Sequence, residues 1–245
     1  MKVTVIGHWG AFPEAGEATS GYLFQHEDYN LLIDCGSGVV SNLQRFIPLE
    51  DLDAVVLSHY HADHFCDIGV LQYARLIKTD RGQVSKSLLI YGHSGDPAFH
   101  KLTKKRYTLG KAYREKDILR LGPFQISFCR TQHPIPCYAM RISAGNQCVV
   151  YSADTAAFPA MAGFAAKADL LIGECSLYDD MDGKSVGHMN SADVGKFARK
   201  ADVKQLLLTH LPHWGDPARL LESAGAYFKG TIALAALGWT WEGGK

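Results

Sequence analysis

Short apolar runs alternate with polar turns along most of the chain. KVTVIG, YLFQHE, NLLIDCG, DAVVLSH and SLLIYGH come first, then FQISFCRTQH, CYAMRIS, QCVVYSAD, DLLIGECS, KQLLLTH and TIALAAL. They are rich in β-branched residues and bounded by turn residues, which predicts strands. The first few are hairpin-like, with polar turns such as HEDYN. Helical stretches separate the later ones, at roughly 64–78, 96–106, 156–167, 191–201 and 216–228. Ser191 stands where an N-cap is expected before ADVGKFARKA, and Asp216-Pro217 opens the last helix with an early proline. No linker, low-complexity tract or charge block divides the chain. The pattern predicts a single α/β domain over residues 1–245, sheets inside and helices outside.

Four of the buried-looking strands end in a small residue followed by a ligand-type residue: VVLSH at His59, VVYSAD at Asp154, LLIGEC at Glu174 and LLLTH at His210. The carboxyl ends of strands are where α/β folds place chemistry. Four such endings predict a shared rim on which these groups converge.

The densest chemistry is SHYHADHFCD, positions 58–67, where His59, His61, Asp63 and His64 follow a strand and enter a helix. Neutral imidazoles and carboxylates are ligands for zinc and its neighbours. A tight turn can aim His59 and His61 at one ion and Asp63 and His64 at a second. Two ions need further ligands. The strand ends supply Asp154 and His210, and His133, closing FQISFCRTQH ahead of Pro134, is another candidate.

Composition narrows the partners. Lys plus Arg equals Asp plus Glu, 25 each, so the chain lacks the broad basic field of an extended nucleic-acid interface. The basic stretch Lys101, Lys104, Lys105 and Arg106 reads as a solvated helix face. The six cysteines form no C-x-x-C pair, the amino terminus has no signal-peptide core, and no window approaches the roughly 18 apolar residues of a membrane helix. These features predict a cytoplasmic protein with free thiols and no membrane partner.

H-x-H-x-D-H followed by separate His, Asp and His resembles the metallo-β-lactamase fold superfamily over nearly the whole chain, from the opening VIGHWGAFP through LLIDCGSG to THLPHW. The resemblance implies an αββα sandwich, two mixed β-sheets flanked by helices, with the metals at one edge. It implies two divalent ions, zinc first and manganese or iron as alternatives. His59, His61 and His133 would hold one, Asp63, His64 and His210 the other, and Asp154 would bridge them. Asp63 would also belong to the catalytic set. Cys66 and Asp67 take supporting or helix positions.

GECSLYDDMDGKSVGHMN, residues 173–190, is similar to the Glu-and-His element of the tRNase Z-like zinc phosphodiesterases. The resemblance implies that Glu174 and His188 are the corresponding catalytic pair, with His188 expected to protonate the leaving group and Glu174 to orient it. Two departures matter. Only TQHPIPCYAMRISAGNQCVVYSAD separates His133 from Asp154, which leaves no room for the tRNA-gripping arm. The Arg-Tyr expected after the last histidine is replaced by Pro212-His213-Trp214. The resemblance therefore implies a phosphodiesterase acting on a small or cyclic nucleotide-like substrate through a metal-bridging hydroxide. The alternatives are an acyl hydrolase (lactonase or thioesterase) and, behind it, a tRNA 3′-end processing endonuclease. A homodimer is the expected assembly. Trp9, Phe12 and Trp214 lie in loops beside the motifs, where aromatics can stack on a base.

Overall fold

The computed structural model describes residues 1–244 and divides into two compact units. The first comprises 1–114, 121–123 and 236–244; the second comprises 115–120 and 124–235.

The first unit holds a seven-stranded mixed sheet. Its strands are β1 (Lys2–Gly7), β2 (Gly21–His26), β3 (Tyr29–Ile33), β4 (Ala54–Val56), β5 (Leu88–His93), β6 (Thr108–Tyr113) and β14 (Thr240–Glu242), in the order β14-β1-β2-β3-β4-β5-β6. β1, β2 and β3 form the expected hairpins, while β3 to β6 run parallel. Helices α1 (Val39–Leu43), α2 (Ala62–Phe65) and α3 (Ile68–Asp80) belong to this unit. Val39, Leu43, Ile68 and Leu71 of these helices share one core with Leu23, Leu32, Val55 and Ile90 of the sheet. Each such buried aliphatic side chain is worth about 1.5–3 kcal/mol. Leu31, Leu32 and Ile33 are all fully buried, the continuous apolar run of a strand covered on both faces.

The second unit repeats the plan with seven strands: β7 (Ile118–Leu121), β8 (Phe124–Arg130), β9 (Tyr138–Ala144), β10 (Gln147–Tyr151), β11 (Leu170–Glu174), β12 (Gln205–Thr209) and β13 (Thr231–Leu234). The order is β13-β12-β11-β10-β9-β8-β7. β8, β9 and β10 are antiparallel neighbours, and β10 to β13 are parallel. Its helices are α4 (Pro159–Phe164), α5 (Ser191–Ala201) and α6 (Pro217–Tyr227). Two mixed seven-stranded sheets flanked by helices are the expected fold class.

Several element boundaries depart from the sequence reading. The stretch 64–78 breaks into α2 and α3. The stretch 96–106 forms only a 3-10 turn, Pro97–Leu102, so Lys104, Lys105 and Arg106 lie in the turn before β6 and not on a helix face. Asp96 does cap that turn, accepting from Ala98 N at 2.7 Å, but Lys105 at φ 49° turns the chain out of it. The helix expected over 156–167 is confined to α4. The cap of α5 is Asn190, whose side chain accepts from Asp193 N at 2.9 Å, and Ser191 is the first helical residue. Asp216 caps α6 as expected, accepting from Ala218 N at 2.9 Å.

α5 and α6 cross where Gly195 faces Ala224. A β-carbon at Gly195 would lie 2.5 Å from Ala224 O and 2.9 Å from its Cα, so the helices approach this closely only with hydrogen there. Gly69 in α3 has nothing within 4 Å of the same position. Alanine normally stabilises a helix by roughly 0.5–1 kcal/mol over glycine. Gly69→Ala should therefore raise the melting temperature, and Gly195→Ala should lower it despite its better propensity. Thermal denaturation of the two variants checks the opposite signs.

Candidate active-site residues

The strand directions explain why ligand-type residues gather. β1, β3, β4 and β5 point the same way, so the residues at their carboxyl ends share one edge of the first sheet. Those residues are His8, Asp34, His59 and His93. β8 and β10 are both antiparallel to β9, and β11 and β12 continue parallel to β10. His133, Asp154, Glu174 and His210 accordingly follow the carboxyl ends of four like-directed strands of the second sheet.

In the first unit the H-x-H-x-D-H turn is compact. The His59 ring lies 4.8 Å from that of His61 and 4.2 Å from that of His64, and His64 Nε2 lies 3.6 Å from Asp63 Oδ2. His59 and His64 are fully buried. The turn is fixed by LLIDCGSG. Cys35 N donates to His64 O at 2.8 Å, and Asp67 N donates to Cys35 O at 3.1 Å. A β-carbon on Gly36 would collide with the Asp63 carbonyl and the Thr19 hydroxyl. Asp67 accepts from Val40 N at 3.0 Å, near the start of α1, and burial raises its carboxyl above the usual range. Cys66 is exposed.

The residue that organises this turn is Asp34, which the sequence reading passed over. Its carboxylate is fully buried and accepts from Ser58 N at 2.7 Å, Ser58 Oγ at 2.7 Å and His64 Nδ1 at 2.8 Å. Because Ser58 gives its proton to Asp34, its oxygen accepts from His59 Nδ1 at 3.0 Å. Both rings are thereby held as the tautomer with a lone pair on Nε2. The signal was present: LLIDC ends in a ligand-type residue as VVLSH does, and so does SLLIYGH at His93.

The second unit repeats the wiring. Glu174, 1 % exposed, accepts from Ser176 Oγ at 2.7 Å and from His188 Nδ1 at 3.0 Å. Ser176 Oγ in turn accepts from His210 Nδ1 at 2.8 Å. His133 Nδ1 donates to the Gly187 carbonyl at 3.1 Å. Asp154 Oδ2 stands 3.4 Å from His210 Nε2 and 3.9 Å from His133 Nε2. His188 stacks on His210 with centroids 5.4 Å apart and meets His133 edge-on at 5.2 Å. Ligand-type atoms of Glu174, His188 and His210 all lie within 4.8 Å of one another.

The chain thus carries clusters of His and Asp side chains able to hold metal ions. The chemistry of the donors fits that use. Five histidines, His59, His64, His133, His188 and His210, have Nδ1 committed to an acceptor and Nε2 directed away from it, which is how metal-ligating histidines are oriented and made more basic. Asp34, Ala153 and His210 adopt φ of 57°, 49° and 54°, a left-handed conformation costing roughly 1–3 kcal/mol at non-glycine residues. All three lie just after strands, where the strain aims ligand-type side chains.

Of the loop aromatics, Trp9 donates through Nε1 to Glu17, while Phe12 and Trp214 are exposed. Beside Trp9, burial holds the His8 imidazole below its usual range against the opposing pull of Glu17. Ala11 N of the same loop donates to Asp63 Oδ2 at 2.9 Å. All six cysteines are free, and among the described residues no helix is long and apolar enough to cross a membrane.

Two such sheets, with His and Asp clusters at their strand ends, define a metallo-hydrolase of the metallo-β-lactamase class. Residues 29–211 match the Beta-lactamase superfamily domain, and the chain belongs to that family. It is 52 % identical over 244 residues to "Probable metallo-hydrolase YhfI" of Bacillus subtilis, covering 99 % of this chain and 100 % of that protein. The crystal structure of YhfI matches with a TM-score of 0.98 at 51 % identity, over 99 % of each chain. Ribonuclease Z of Myxococcus xanthus is 26 % identical over 306 aligned positions, covering 99 % of this chain and 97 % of that enzyme. A diphosphatase from the PhnP family shares the fold, with a TM-score of 0.77 at 16 % identity over 99 % of this chain and 98 % of its own.

Outer hydrogen-bond partners of metal ligands typically contribute 10- to 100-fold in metal affinity. Asp34→Ala, which releases both His59 and His64, should weaken zinc binding by that order. Competition with a chromophoric chelator measures it. Unchanged affinity would reduce Asp34 to a folding residue.

Proposed function

We propose that the chain is a dinuclear metal-dependent phosphodiesterase acting on a small or cyclic nucleotide-like phosphodiester. His59, His61 and His133 would hold one ion and Asp63, His64 and His210 the other, with Asp154 shared between them. Nitrogen and carboxylate donors suit zinc, and also manganese or iron. Such a pair, when bound, supplies Lewis acidity towards a phosphoryl oxygen and acidifies a water for attack.

The observation that carries the reading is the Glu174–His188 pair. His188 keeps 21 % of its side chain exposed while its Nδ1 is fixed on a buried carboxylate, leaving Nε2 as the accessible nitrogen, which carries a proton to give when the ring is an imidazolium. An ester of an alcohol leaves as a strongly basic alkoxide and needs a proton at the moment of departure. A histidine held by a carboxylate meets that need. Glu174 has three further donors, Ser176 Oγ, Ser176 N and Thr155 N, so it stays in place whatever His188 does. The reading also fits the segment between His133 and Asp154. It is a plain hairpin, β9 to β10, turning at Gly145, and carries no arm for a folded RNA.

Removing the proton donor should lower kcat by roughly 10²–10⁴ for alkyl phosphodiesters and much less for p-nitrophenyl esters, whose leaving group needs little protonation. His188→Ala assayed on a paired aryl and alkyl series, with metal content measured alongside, tests this. Glu174→Gln should show a milder form of the same selectivity. An equal loss on both series, or loss of metal, would return His188 to a structural role.

Elemental analysis of carefully purified protein should find two divalent ions per chain. Chelation should abolish turnover, and zinc or manganese should restore it. Wild-type turnover confined to lactones or thioesters would replace the phosphodiesterase reading with acyl hydrolysis on the same donors.

A further inference from the structure

Trp214 is 53 % exposed, four residues beyond His210. A single exposed aromatic is unremarkable on a mobile surface. The backbone here is fastened, however. Tyr178 Oη donates to the Trp214 carbonyl at 2.8 Å, and the Tyr178 ring lies over Gly215. Arg219 of α6 stacks on Tyr178 at 5.0 Å while pairing with Asp179 at 3.6 Å and Asp180 at 3.9 Å. Tyr178 lies two residues from Ser176, which joins Glu174 to His210. The staple that fixes Trp214 thus grows from the segment that fixes the proposed proton donor and a proposed metal ligand. Among the described residues no hydrogen bond or ring contact holds the indole itself.

A rigid backbone presenting an unpacked indole beside polar chemistry suits a ligand with a flat, neutral, stackable face. Asp179 and Asp180 share the one cation Arg219, and Asp216 is occupied in capping Ala218 N, so the position offers a π-surface and no surplus positive charge for a phosphate. We infer that Trp214 is the stacking platform for the base of a nucleotide substrate, an assignment that deepens the phosphodiesterase reading and rests on it for the nature of the ligand. Stacking requires only a π-face, so the platform would accept purines and pyrimidines alike and set a preference for a base without choosing among bases. Tyr178 acts as a positioning residue for that platform.

The test is equilibrium binding by calorimetry, which does not depend on turnover. The probes are the four nucleoside 5′-monophosphates and ribose 5-phosphate. The proteins are metal-loaded wild type and the Trp214→Ala, Trp214→Phe, Trp214→Leu and Tyr178→Phe variants. Alanine substitution of a base-stacking aromatic typically weakens binding roughly 5- to 150-fold. Trp214→Ala should show a loss in that range for the nucleotides and none for ribose 5-phosphate. Trp214→Phe should keep most of the affinity, Trp214→Leu should lose most of it, and Tyr178→Phe should fall between wild type and Trp214→Ala. Equal losses for nucleotides and ribose 5-phosphate, full affinity in Trp214→Leu, or no binding of any nucleotide to wild type would each overturn the assignment. Turnover of bis-p-nitrophenyl phosphate is measured in parallel. Nucleotide binding that depends on Trp214 without phosphodiester turnover would sink the enzymatic reading alone. Turnover with Trp214-independent binding would sink the platform alone.

Discussion

Two buried carboxylates govern the chemistry of this chain. Asp34 and Glu174 each accept a serine hydroxyl and a histidine Nδ1, and each serine accepts the Nδ1 of a second histidine. A neutral imidazole can carry its proton on either nitrogen. A carboxylate can only accept, and a serine that has donated to it has only its lone pairs left. The tautomers of His59, His64, His188 and His210 follow from that constraint. Replacing either carboxylate with an apolar residue would leave one serine and two rings without a direction.

The two networks differ in what their histidines do. In the first unit both rings are proposed metal ligands, His64 bonded directly to Asp34 and His59 through Ser58. In the second unit the directly bonded ring is His188, the proposed proton donor, while the ring reached through Ser176 is the proposed ligand His210. A direct carboxylate bond suits a ring that must bear positive charge when it donates. The serine-mediated bond fixes orientation with less electrostatic bias. Left-handed backbone at Asp34, Ala153 and His210 places these groups, and burial of the strands behind them offsets the strain.

Much of this was legible because period and chemistry coincide in the sequence. Apolar runs marked eleven of the fourteen strands; His59 lies beyond a carboxyl strand end of the first sheet, and Asp154, Glu174 and His210 lie at carboxyl strand ends of the second. His133 and His188 were legible only beside these motifs, since neither closes a fully apolar run. Asp34 was missed because its strand was noted for its glycine turn and not for its last polar residue. The edge strands failed for another reason. β6, TLGKAY, and β7, ILRL, are half-exposed at sheet margins, so neither shows an apolar alternation. The basic residues ahead of β6 mimicked a helix because Asp96 and Pro97 give a genuine start signal. Nothing local says that the helix ends at Leu102. That outcome is decided by Thr108, Gly110 and their neighbours pairing with β5.

The short β9–β10 hairpin bears on the scale of the proposed substrate. The alignment with Myxococcus ribonuclease Z spans 306 positions against the 245 residues here, so that enzyme carries segments this chain lacks. Binding a folded RNA requires many phosphate contacts, each made by a cation that displaces a counterion. Here positive and negative residues balance, and Arg219, Lys204, Lys78 and Arg106 are each paired with a carboxylate. Affinity would then have to come from contacts close to the reacting phosphate: the metals on one side of it, His188 at the leaving oxygen, and a flat ring against an aromatic face. The proposed substrate of one or two nucleotides would engage all three without an extended interface, and the chain as a whole has no surplus of positive charge for further phosphates.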